Sequence, residues 1–202
     1  MPVKIFTALL VQDVQNDFLP HGACPVEGAE SILDNIAKMA AGFDRVIVTQ
    51  EFRAADHVSF ADKPAFCVEG TVGADLARGL RLPMSRVIAI LRGTDKTQDS
   101  YSAFLEADRK TQTGLKSYCE DRFVNRLYLC GISRDGSLLR TALDAHHFGI
   151  EVLWVRDAVV GMTEAESSML ATFADKGVQL IFFCCLDKGL AQIFSFSGQI
   201  RV

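Results

Sequence analysis

The sequence predicts an α/β fold: a single doubly wound domain with a six-stranded, mainly parallel sheet flanked by helices. Six short runs, IFTALLV, RVIVTQ, RVIAIL, RLYLCGI, IEVLWV and VQLIFFCC, are rich in Val, Ile and Leu and nearly continuous in apolar residues. That is the pattern of strands buried on both faces, as in a parallel sheet. Between them, segments such as AESILDNIAKMAAGF and DGSLLRTALDAHHFG carry apolar residues three and four apart, each with a glycine where a helix would end. The 202 residues suit one domain, and no repeat, low-complexity tract or linker divides them, so 1–202 reads as one unit.

Composition narrows the function classes. The chain is 49% hydrophobic and 23% charged, with 21 Lys+Arg against 25 Asp+Glu and a net charge of −4. It lacks the basic excess that phosphate-backbone contacts require, which argues against nucleic acid as the main ligand. No run reaches the roughly 18 to 20 apolar residues of a membrane span, and the opening MPVKIFTALLVQDV has no signal-peptide cleavage pattern. A soluble, cytoplasmic protein with no membrane partner is expected. The six cysteines, at 24, 67, 119, 130, 184 and 185, contain no CxxC pair and are too scattered for a disulfide framework. Cys184 and Cys185 read as buried small hydrophobes.

Two stretches interrupt the strand–helix alternation. Residues 51–85 have no clear period and contain Pro64, Gly70, Gly73 and Pro83; residues 92–104, RGTDKTQDSYSAF, form a polar loop. In open α/β sheets ligands lie at the carboxyl ends of the strands, so both loops and Asp13, at the end of the first strand, face the expected site. The tail GLAQIFSFSGQIRV reads either as an edge strand or as an arm packed on a partner.

ALLVQDVQNDFLPHGACPVEGAE, VIVTQEFRAADHVSFA, FCVEGTVGADL, RGTDKTQDSYSAF and LYLCGISRDGSLLRTALDAHHFGIEVLWVRDAVVGM follow one another in order. Over about residues 5–162 the chain resembles the isochorismatase-like hydrolases, and among them the nicotinamidases. The resemblance implies a parallel sheet flanked by helices and an Asp–Lys–Cys triad whose thiolate attacks the carbonyl of a small amide. It also implies a turn with a cis peptide holding the oxyanion, and a divalent metal on an Asp-x-His-x3-His segment and a later His.

Carried onto this sequence, the aspartate is Asp13, the lysine position is Arg92 (before Gly93) and the nucleophile position, in GISRDGSL, is Ser137. The cis-peptide pair would be Ser133 and Arg134, and the pocket residues Phe18, Phe66 and Tyr101. The metal positions read Glu51, Arg53, His57 and Phe66. Arginine and phenylalanine are not ligands, so no metal and no cofactor is expected; instead Arg53 should pair with Glu51 in the cation's place.

These residues alter the expected chemistry. A serine needs a base within hydrogen-bonding reach, yet His146 and His147 lie nine and ten residues along the helix from Ser137, roughly 13 to 15 Å away. Asp13 is then the only candidate base, beside an arginine that cannot give up its proton. Lys96 could replace the lysine only if the loop shifted register. DGSLL does not match a G-x-S-x-G elbow, and GISRDG lacks the GK[ST] ending of a phosphate loop. Asp144 with His146 and His147 reads as a solvated helix face.

Two functions follow. One is a catalytically degenerate homologue, a pseudoenzyme that binds a small aromatic or carboxylate ligand or a partner, as a homo-oligomer or with a family paralogue. The other is an active hydrolase of a small amide or vinyl ether using Asp13 with Ser137 or a water.

Overall fold

The computed structural model describes residues 4–172 and 178–183; Cys184, Cys185 and the tail 188–202 lie outside these. Six parallel strands, β1 (Thr7–Gln12), β2 (Val46–Glu51), β3 (Val87–Arg92), β4 (Arg126–Ile132), β5 (Glu151–Val160) and β6 (Val178–Ile181), form one sheet in the order β3-β2-β1-β4-β5-β6. Every strand pairing among the described residues is parallel, in line with the expected sheet.

Consecutive strand residues enter different cores. Leu9, Val11, Val46 and Val48 pack beneath α1 (Leu33–Ala41), against Ile36 and Met39. Leu10, Ile47, Leu127 and Leu129 face the other way, toward Leu115 of α2 (Leu115–Asp121) and Leu138 and Ala142 of α3 (Ser137–His147). Side chains alternate across a strand, so two covered faces require the unbroken apolar runs. α1 is preceded by a 3-10 turn, Ala29–Ile32, and ends at Gly42, while Gly149, at φ 77°, follows α3. A fourth helix, α4 (Glu164–Thr172), leads towards β6.

The strand order reverses between β1 and β4, and this switch point opens the crevice where α/β ligands bind. Gly131 makes the junction. Its φ is 122°, a Cβ there would overlap the Gln12 carbonyl oxygen, and the β4–β5 register shifts between Leu129 and Gly131. Gly131→Ala therefore combines backbone strain with overpacking and should lose about 3 kcal/mol, measurable by urea denaturation.

Candidate active site

Strand ends and loops bring the acidic and basic candidates together. Asp13 follows β1 in a left-handed conformation, φ 54°, while Glu51 ends β2 directly beside Arg92, which ends β3. Asp13 is 2% exposed, Glu51 4%, Arg53 3% and Arg92 1%. Arg92 donates from Nε to both Asp13 oxygens at 3.1 Å, and its Nη2 also bonds Asp13 Oδ2. Its remaining bonds reach Glu51 Oε1 at 2.7 Å through Nη2 and Ser100 Oγ at 2.7 Å through Nη1. Thr49 adds a 2.7 Å bond to Asp13 Oδ1.

Arg53 completes the network from the other side. Its Nε and Nη2 lie 2.9 and 2.8 Å from Glu51 Oε2, and Nη2 is also 2.8 Å from Asp99 Oδ1. The expected Arg53–Glu51 pair is therefore formed. Burial alone would raise the Glu51 carboxyl, but Arg92 and Arg53 outweigh it and hold it below its usual value. Burial opposes the charge on Arg92 too, and Asp13 and Glu51 reverse the effect, so its guanidinium stays protonated.

The donor set does not fit a metal ion. Both Glu51 oxygens accept from guanidinium groups, and the Arg53 guanidinium lies 4.7 Å from the centroid of Phe66. His57 Nδ1 accepts from the Ser59 N–H and lies 3.2 Å from Arg53 Nη1. Burial and then Arg53 lower its pKa and favour neutral imidazole. Among the described residues no group of three or more His, Cys, Asp or Glu could hold a cation. Elemental analysis of the purified protein should find zinc and iron well below one equivalent; a stoichiometric amount of either would contradict this account of the site.

Ser137 begins α3 and is 5% exposed. Its Oγ accepts from Gln12 Nε2 at 3.0 Å, and Thr141 holds Gln12 by donating to Oε1 at 2.7 Å. Among the described residues no histidine or carboxylate is hydrogen-bonded to this hydroxyl.

The preceding turn differs from expectation. No cis peptide occurs among the described residues, so Ser133–Arg134 is trans, the form favoured for a non-proline bond by about 3 kcal/mol. The Ser133 N–H donates to Val160 O at 2.8 Å and the Ser137 N–H to Arg134 O at 3.0 Å, leaving neither directed at an oxyanion.

A cavity of about 140 Å³ opens above this centre. Phe18, Phe66 and Tyr101 do not line it, contrary to the expectation of an aromatic pocket. The Arg134 guanidinium lies 4.0 Å from the Phe66 centroid and 6.0 Å from that of Phe18, while Arg109 and Arg140 lie 4.6 and 4.9 Å from Tyr101. Cationic groups cover the aromatic faces. The walls instead include Lys63, Arg134 and Arg140, with Asp99, Ser100 and Asp135.

Three further expectations meet their outcome here. Lys96 pairs with Asp56 at 2.6 Å on the surface, away from the centre, so no register shift brings it in. Asp144 is 3% exposed and accepts from Ser102 Oγ at 2.6 Å, so it anchors the DSYSAF loop rather than belonging to a solvated face. Cys67 and Cys130 are buried, and burial raises both thiols, opposing thiolate formation. Sequence reasoning missed Lys63, Asp99, Arg140 and the supporting Gln12, which carry no motif signal beyond their places in a loop, QDSY, α3 and VQDV.

A parallel sheet with a polar centre at its switch point is the layout in which open α/β proteins bind ligands. A family model described as the Isochorismatase domain matches residues 7–181. The chain is 37% identical over 171 residues to the nicotinamidase of Acinetobacter baylyi, covering 75% of this chain and 79% of that protein. The solved nicotinamidase/pyrazinamidase of Acinetobacter baumannii superposes with a TM-score of 0.82 at 33% identity, over 89% of this chain and 97% of that one. An L. infantum structure in complex with nicotinate matches with a TM-score of 0.80 at 32% identity, over 90% and 96%. The chain belongs to the isochorismatase family and is a homologue of the nicotinamidases.

Proposed function

We propose that this protein is a catalytically degenerate member of the family that binds a small molecule at the retained site and does not hydrolyse nicotinamide. One observation carries the reading: the buried network in which Arg92 and Arg53 saturate Asp13 and Glu51. An amide hydrolase must activate a nucleophile and move a proton to the leaving amine. Here Asp13 is engaged by a guanidinium that does not exchange its proton, and Ser137, taken as the nucleophile position, accepts from Gln12 with no base attached.

The nicotinate held by the L. infantum relative supports a small acid as ligand. Among the described residues no helix is long and apolar enough to cross a membrane. Self-association, or pairing with a family paralogue, belongs to the proposal as its second mode of action. A thermal-shift screen with nicotinamide, nicotinate and related acids, run beside a turnover assay on isochorismate, tests the reading. Stabilisation by an acid without turnover is expected; vinyl-ether cleavage abolished by Asp13→Ala would overturn it in favour of an aspartate proton donor.

A further inference from the structure

The cavity at the switch point carries five cationic side chains against three carboxylates, within a chain whose net charge is −4. Arg53 and Arg92 are matched by the buried carboxylates beneath them, and Lys63 lies 2.9 Å from Asp135. Arg134 and Arg140 are left over. Arg134 has only a 3.7 Å approach to its neighbour Asp135, and among the described residues Arg140 has no ion-pair partner.

Aromatic rings, rather than acids, support both groups. A guanidinium supported by a ring keeps its in-plane N–H donors for a planar or tetrahedral oxyanion. Ser137 lines the same cavity; its oxygen accepts from Gln12 and its proton has no acceptor among the described residues. That hydroxyl can donate to a bound oxygen. Glu51, Asp99 and Asp135, the carboxylates of this wall, are each ion-paired, so the charged groups left without a close ion pair there are the two guanidinium groups.

We infer that the cavity is a binding site for a small oxyanion-bearing molecule, a carboxylate or phosphate, held by Arg134 and Arg140 with a hydrogen bond from Ser137. The inference rests on the binding role proposed above and adds to it the residues that read the ligand's charge. Neutral amides leave the two guanidinium groups unmatched, so the site discriminates by charge before shape.

Calorimetric titration of the full chain with lactate, its neutral isostere lactamide and inorganic phosphate tests this. An anion should bind at least tenfold more tightly than lactamide and weaken as sodium chloride rises from 50 to 500 mM; the tighter of lactate and phosphate identifies the oxyanion. Arg134→Gln with Arg140→Gln should lose the anion preference at least tenfold while the wild type, needing no substitution, retains its salt dependence. Equal binding of lactate and lactamide, no binding of either anion, or an unchanged preference in the folded double variant would overturn the site. Nicotinamide turnover would defeat the degenerate reading whatever these titrations gave, so the two failures are separable.

Discussion

Arg92→Met is expected to destabilise the fold by about 3–5 kcal/mol, because it leaves buried carboxylates without their principal counter-charge. Asp13 and Glu51 are 2% and 4% exposed, so water cannot take the place of the guanidinium. Thr49 and Arg53 would still hold one oxygen of each. The pH dependence distinguishes this cause from lost packing. In the native protein Glu51 sits below its usual 4.5, so its ionised form stabilises above about pH 4.5 and that contribution fades as pH falls through the lower folded value. In the variant burial dominates and raises the carboxyl, so stability should recover as acid neutralises it. Urea midpoints at pH 7, pH 5 and pH 3 measure both effects; a variant as stable as the parent at pH 7 would contradict the role given to Arg92.

Restoring amide hydrolysis should require five substitutions rather than four. Arg53→His, Phe66→His, Arg92→Lys and Ser137→Cys together return the expected metal ligands, lysine and thiol. Arg134 still lies 6.0 Å from the Phe18 centroid and lines the cavity, so the aromatic face stays covered. The four-residue variant should therefore show no gain. Adding Arg134→Thr uncovers that ring, and with zinc supplied nicotinamide turnover should rise roughly 10²-fold or more above background, the scale of a recovered acid–base group. Activity in the four-residue variant alone would show that Arg134 does not block the site.

The strand positions were legible because two covered faces force continuous apolar runs, a signal long enough to read without a partner. The site's ends were legible too: Asp13 and Arg92 each close a strand, and parallel neighbours bring such ends together. The 3-10 turns at Val58–Ala61 and Val72–Ala74 left no periodicity to find in residues 51–85. The contacts of Arg134 and Asp144 escaped for a different reason. One is a cation–ring contact between distant loops and the other a bond to Ser102, and neither contact marks its own neighbourhood in the sequence. The aromatic residues expected in the pocket do not line it, because guanidinium groups from elsewhere in the chain cover their faces, a tertiary fact.

Ammonia release from nicotinamide, followed over hours at high protein concentration with and without added zinc, tests the central claim most directly. The ion-paired Asp13 and base-free Ser137 predict a rate indistinguishable from the Asp13→Ala protein. Release above the Asp13→Ala rate, with or without zinc and whether or not it survives Ser137→Ala, would contradict it and show a working hydrolase.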